Sequence, residues 1–254
     1  MTKIYITIIS IITVIAVLLG CYIHIFNRGN FSLHPVSVSS GNSVSDAVEL
    51  SGDIDTIKID MNYSGVTIAY GDEVRVEYDL PEKLVPEIEL KNGTLSIIQK
   101  NSVRLGSTGW NDYSLTVYIP EGITLEKLDL NLDAGNLEIA DIPCTEATVN
   151  CDAGNIELDN MEFTTLRVDV NAGNIEVTDC SADTVDINAD AGNIRLNRCT
   201  IDVFNADADA GNIDADNCTI NSGEVNTDLG NISLQGEIGN VKTHTSLGLV
   251  NLDD

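Results

Sequence analysis

Six glycines, Gly135, Gly154, Gly173, Gly192, Gly211 and Gly230, follow one another at intervals of 19 residues without exception. Each sits in one recurring phrase: LDAGNLEI, CDAGNIEL, VNAGNIEV, ADAGNIRL, ADAGNIDA and TDLGNISL. A shorter step leads to Gly248 in SLGLVNL. A fixed period near twenty marks a solenoid, in which every repeat is one coil stacked on the last.

Counted from Leu125, apolar residues recur within each repeat at fixed places. The fourth is Leu128, Ala147, Leu166, Val185 and Phe204, and the sixth is Leu130, Val149, Val168, Ile187 and Ala206. The thirteenth runs from Leu137 through Ile156, Ile175, Ile194 and Ile213 to Ile232, and the fifteenth from Ile139 to Leu234. Alternation of period two on both sides of the glycine predicts two short strands per coil joined by a tight corner. Seven coils at about 4.8 Å each give a rod section of roughly 34 Å.

The corner residues have mechanical readings. The alanines before the first five glycines, Ala134, Ala153, Ala172, Ala191 and Ala210, are expected to point into a crowded bend. The glycine is expected to take a positive φ, open to it because it has no Cβ. The asparagines Asn136, Asn155, Asn174, Asn193, Asn212 and Asn231 are expected to stack as an amide ladder, as repeated Asn does in cross-β packing.

Upstream of the repeats the chain divides into further parts. Residues 1–28 contain an almost unbroken apolar run, Ile4 to Phe26, flanked by Lys3 and Arg28. As a helix it spans roughly 35 Å, enough to cross a hydrocarbon core of about 30 Å, so an uncleaved transmembrane anchor is expected. LLGC at 18–21 offers a second reading, lipidation at Cys21, and a cleaved signal peptide is a third. Residues 29–52, rich in Ser, Gly and Asn, read as a flexible stalk. Residues 53–124 alternate as strands, with a hairpin at Asn92-Gly93 inside PEIELKNGTLSIIQK. The solenoid itself is assigned to 125–254. The whole is an all-β chain: a parallel β-solenoid of 19-residue coils, preceded by a strand and hairpin region and an N-terminal transmembrane helix.

The segment LTVYIPEGITLEKLDLNLDAGNLEI at 115–139, the Gly-Asn-Ile coils behind it and GTLSI before it resemble the bacterial "putative adhesin" family. Related domains occur in membrane proteins of Lia-type cell-envelope stress operons. The resemblance covers about 54–252. It implies a β-solenoid fold and a binding role in the envelope, and it supplies no catalytic residues.

Charge narrows the partners. There are 40 Asp and Glu against 13 Lys and Arg, a net charge of -27, concentrated in the repeats. Such a surface repels phosphate backbones, so nucleic acid is excluded as a partner. Asp133, Asp152, Asp190, Asp209 and Asp228 fall in one column, interrupted by Asn171, and are weak candidates for Ca²⁺; a solvated acidic face is the competing reading. Cys180, Cys199 and Cys218 share another column and read as reduced, buried, apolar residues. His24, His34 and His244 stand beside no nucleophile, and Arg167, Arg195 and Arg198 are too scattered for a polysaccharide-cleaving face. No catalytic residue and no cofactor is expected. The expected product is a single-pass protein of the cytoplasmic membrane, its C-terminal domain outside, binding an envelope polymer or membrane protein. A self-associating rod is the alternative, because the last coil, LVNLDD, carries no recognisable cap.

Overall fold

A computed structural model describes residues 43–101 and 113–253, which lie in one compact unit spanning Ser40–Asp254. The expected anchor, its alternative lipidation site Cys21 and the whole segment 102–112 fall outside the described residues. Among the described residues no helix is long and apolar enough to cross a membrane.

The repeats form seven coils, each a long strand, a corner and a short strand. Four run from β8 (Leu125–Ala134) and β9 (Leu137–Ala140), through β10 (Cys144–Ala153) with β11 (Ile156–Asp159) and β12 (Glu162–Ala172) with β13 (Ile175–Thr178), to β14 (Ser181–Ala191) with β15 (Ile194–Asn197). Beyond β16 (Thr200–Ala210), strands β17 (Ile213–Leu229) and β18 (Ile232–Leu247) each run unbroken from a short-strand half into the next long-strand half, and β19 (Val250–Asp253) ends the series. Every neighbouring pair in this series is parallel, with partners 19 residues apart, such as Ile187 on Ala206. The one slip lies between Ala215 and Cys218, after which Cys218 faces Gly236 and the interval is 18.

Residues 43–101 and 113–120 are continuous with this stack, and the boundary at 124/125 marks the start of the period rather than a break in the fold. Strand β2 (Thr56–Met61) pairs with β8 on one side and β6 (Thr94–Ile98) on the other. Strand β3 (Gly65–Gly71) likewise lies between β9 and β7 (Ser114–Pro120). The coil nearest in sequence to the repeats is therefore not the coil nearest in space. Antiparallel strands close this end: β5 (Glu87–Lys91) on β6, and β1 (Ser43–Glu49) on β4 (Arg75–Pro81), which pairs in turn with β7. The stretch 43–49, read as part of a stalk, is thus a strand, its Ser-rich composition masking the alternation. The hairpin at Asn92-Gly93 forms with φ of 50° and 81°, positive at both central residues as a type I′ turn requires.

The core lies between the two strand layers and is built from the columns that alternation marks. Leu128, Leu166, Val185 and Phe204 are buried, as are all six residues of the thirteenth-position column. Volume is balanced within single coils. Phe204 shares its coil with Ala206, Ala208 and Ala215, all buried, so one large ring fills space that three small side chains leave. Replacing Phe204 with Ala should cost about 3–5 kcal/mol, because nothing adjacent can move in to close the cavity. Denaturant melts of the two proteins measure this; a loss under about 1 kcal/mol contradicts the packing.

The glycine column has a different cause from positive φ. Gly135, Gly173 and Gly192 do have φ near +150°, but Gly154, Gly211 and Gly230 are not among the positive-φ residues. What all six share is approach. A Cβ on Gly192 would lie 1.7 Å from the carbonyl oxygen of Gly173, and one on Gly211 would lie 1.7 Å from that of Gly192. The series runs from Ser64, whose oxygen faces Gly135, to Gly248, which faces Gly230. The alanines beside them are half-buried or exposed rather than packed inward. Their smallness therefore does not come from a crowded interior.

Gly192→Ala and Gly211→Ala should accordingly lose similar stability, of order 3 kcal/mol each, since either Cβ must push a backbone aside. Thermal and denaturant melts read the difference. If only Gly192→Ala is destabilised, φ and not approach is the constraint.

Candidate functional site

The corner hydrogen bonds form a complete set. The Gly135 N–H donates to Ala153 O at 3.0 Å and the Leu137 N–H to Asn155 O at 2.9 Å, and the same two bonds recur in the following coils. Between them, the Asn N–H turns the other way. It donates to the side-chain oxygen of the Asn one coil earlier: Asn155 to Asn136 Oδ1 at 2.9 Å, Asn174 to Asn155 at 3.0 Å, Asn193 to Asn174 at 3.1 Å, Asn212 to Asn193 at 3.0 Å and Asn231 to Asn212 at 2.9 Å. The expected amide ladder is thus chiefly side chain to backbone. Side-chain amide contacts join it at Asn174 and Asn193, each donating from Nδ2 at 3.2 Å. A carboxylate would also accept these bonds, but a stack of six would add charge at every step. The bonds of this column run from coil to coil along the stack.

A second column was not singled out in the sequence. Asp141, Asn160, Asp179, Arg198 and Asn217, also 19 apart, take φ between 50° and 65° at the opposite corner. Asn and Asp tolerate this left-handed region better than most residues, so their recurrence was the available signal; Arg198 obscures it. Arg198 is held by Asp179 one coil away, through Nε at 2.6 Å and Nη2 at 2.5 Å. That contact holds the Asp179 carboxyl below the usual carboxylate range.

The other two arginines behave alike. Arg167 faces Asp186 at 3.6 Å and Arg195 faces Glu176 at 3.9 Å, each across one coil step. Scattered in sequence, these cations are rungs between coils and do not converge on a reactive centre.

The outer face of the long-strand layer carries three parallel files of polar side chains. One runs Lys58, Asp129, Thr148, Arg167, Asp186, Asn205, Glu224 and Lys242. Asn205 donates to Asp186 Oδ1 at 2.8 Å within it. The next mixes amides with acids and includes Asn131, Asn150, Asp169, Asn188, Asp207 and Asn226; Asn150 donates to Asn131 Oδ1 at 2.9 Å. The third is the aspartate column Asp133, Asp152, Asn171, Asp190, Asp209 and Asp228. Here Asn171 donates to Asp152 at 2.8 Å, and Ser246 donates to Asp228 at 3.1 Å. The five aspartates proposed for Ca²⁺ are thus strung along the rod. Among the described residues no three His, Cys, Asp or Glu side chains gather as metal ligands.

Two carboxyls in this field are displaced upward. For Asp207 the causes are partial desolvation, then the charges of Asp209 and Asp228; for Asp133 they are desolvation, then Asp152 and Asp60. A carboxyl raised in the folded state destabilises the fold when ionised. Stability is therefore gained as pH falls from neutral through the raised range, and is complete below the unfolded value of roughly 4. Asp179 has the opposite sign, and its contribution fades only as pH drops into its lowered range. Between pH 7 and about 4.5 the melting temperature should rise, and Asp207→Asn should flatten that rise. An identical slope in wild type and variant would remove Asp207 from the effect.

The cysteines Cys144, Cys151, Cys180, Cys199 and Cys218 are free and buried. Burial pushes the Cys144 thiol up to about 12 and those of Cys151 and Cys180 up to about 11, which makes them inert at neutral pH. At the capped end, Ser45, Asp46, Ala47, Glu77, Tyr78, Asp79, Ser114 and Thr116 line a shallow, open groove of about 430 Å³. Beside it Arg75 stacks on Tyr118 at 4.7 Å from the ring centre and meets Glu77 at 3.3 Å.

This architecture, a stack of short β-coils with a polar outer face, defines a family of known shape. Residues 54–250 match the family model described as Toastrack DUF4097, and the chain belongs to that family. A crystal structure of a "putative adhesin" from Bacteroides fragilis NCTC 9343 superposes with a TM-score of 0.61 at 15% identity, covering 84% of this chain and 97% of its own. A "putative adhesin" from Parabacteroides distasonis ATCC 8503 gives 0.56 at 18% identity, covering 84% and 98%. A "putative lipid binding protein" from Parabacteroides distasonis ATCC 8503 gives 0.54 at 21% identity, covering 84% and 97%. At these identities the likeness is one of fold. No curated protein matches the sequence.

Proposed function

We propose that this chain is a non-catalytic binding module of the bacterial cell envelope, held at the cytoplasmic membrane by its N-terminal apolar segment and carrying the solenoid outside. The observation that carries the reading is the three-file outer face of the long-strand layer. Its side chains repeat once per coil along the rod, an arrangement suited to a partner that repeats as well, such as an envelope polymer. The acids and amides of that face favour hydroxyl and amine groups and disfavour phosphate-rich polymers. The adhesin names of the fold's neighbours support binding over catalysis. A sensing role in envelope stress, of the kind the Lia-type resemblance implies, uses the same face with a membrane-protein partner.

Two measurements test this. In intact cells the solenoid should be cleaved by external protease, and the full chain should stay with membranes through a high-salt wash. Recovery in the cytoplasmic fraction would contradict the topology. Cell-envelope polymer freed of membrane lipid should then sediment the detergent-solubilised full chain, and the double substitution Asp209→Lys with Asp228→Lys should weaken capture at least tenfold. Glu157→Lys, on the short-strand side, should leave it unchanged. Equal capture of all three proteins would take the binding role away from this face.

A further inference from the structure

Exposed apolar side chains are distributed unevenly over this molecule. Among the described residues the large ones are Leu229 at 37% exposure, Leu247 at 68%, Leu249 at 75%, Val250 at 42% and Leu252 at 49%, all at the β19 end of the stack. Their positions explain the exposure. Val250 lies over Ile232 and Leu252 over Leu234, so both extend the two apolar columns that fill the core. Leu247 lies over Leu229, and the Leu249 N–H donates to Asn231 Oδ1 at 3.0 Å, continuing the asparagine ladder by one step. Among the described residues no further layer lies over this end of the core. Among the described residues, the outer edges of β19 and of the long-strand half of β18 pair with nothing further.

Charge changes at the same place. Residues 238–252, IGNVKTHTSLGLVNL, contain no acid and one lysine, in a chain whose net charge is -27. The opposite end differs on both counts. Its edge strands β1 and β5 are antiparallel additions carrying Asp46, Glu49, Glu87 and Glu89, and they expose no large apolar side chain.

We propose that the β19 end is an interface for the same end of a second copy of this chain. An apolar cross-section needs an apolar counterpart, and within the described surface the only one is the same face on another copy. Such a pairing is isologous and closes after two chains, whereas stacking onto the acidic β1/β5 end would run on as a filament. Rotation about a twofold axis lying across the rod brings edge strands of the two copies together antiparallel. Their unpaired N–H and C=O groups then find partners while the leucines and Val250 leave water. The acid-free segment lets two strongly acidic rods meet where their mutual repulsion is least. The pairing doubles the length of the polar face and is independent of which envelope component that face meets.

Sedimentation velocity of the full chain, at rising concentration and in one fixed detergent, tests the proposal. The wild type should shift from monomer to dimer and stop there. Raising NaCl from 20 to 300 mM should strengthen the dimer by screening like charge. Leu247→Glu with Leu249→Glu, both exposed positions, should weaken dimerisation at least tenfold with an unchanged melting temperature of the monomer. Glu87→Lys at the other end should have no effect. A photo-crosslinker at position 249 should capture residues 229–253 of the second copy. A wild type that stays monomeric, a dimer indifferent to the leucine substitutions, or crosslinks to residues 43–98 would each overturn it.

Discussion

Everything in this fold depends on how closely one corner can lie on the next. At the glycine column the backbones approach until a carbonyl oxygen of one coil occupies the space where the next coil's Cβ would stand. That contact lets the Gly and Ile N–H groups reach forward to the following coil while the Asn N–H reaches back to the preceding one. The corner thereby pairs its own backbone polar groups from coil to coil, although it lies at the half-buried margin of the stack. The period of 19 follows. Any other coil length would move glycine off glycine, or require a special residue such as Gly236, which stands where the interval contracts to 18.

Stacking in register has an electrostatic consequence. Like residues sit over like residues, so an acid repeated at one position becomes a line of acids. The sequence offsets this in three ways: Asn171 breaks the aspartate column, amides separate the acids in the file beside it, and arginines stand one coil from an acid. Exposed ion pairs contribute little individually. Here their value is in relieving the repulsion that register would otherwise impose. The carboxyls of Asp133 and Asp207 are raised first by partial burial, and what repulsion remains raises them further.

Much of this was legible in the residues, for identifiable reasons. The Gly and Asn columns, the apolar positions and the hairpin at Asn92-Gly93 are local patterns, and local patterns survive in sequence. The order of the first coils was not legible, because β2 and β3 insert between later strands through non-local pairing that leaves no period. Strand β1 was hidden by its serines, and the left-handed column by the single Arg198. The cause assigned to the glycines was incomplete: positive φ holds at Gly135, Gly173 and Gly192 but not at the other three, whereas approach is a property of two coils and appears only when they are stacked. The polar face could be placed from alternation, yet the failure of its aspartates to converge on one point needed the structure.

The claim at the centre of this account is that coils are interchangeable units held by a 19-residue register. Deleting residues 185–203 joins Thr184 to Phe204, which holds the place of Val185, and removes one coil. Deleting residues 185–202 leaves one residue too many and displaces the strand by one position, turning its apolar side chains outward. Thermal unfolding of the two deletion proteins decides the matter. The account predicts a single cooperative transition for the 19-residue deletion and its loss, or a much lower midpoint, for the 18-residue one; equal midpoints would contradict it.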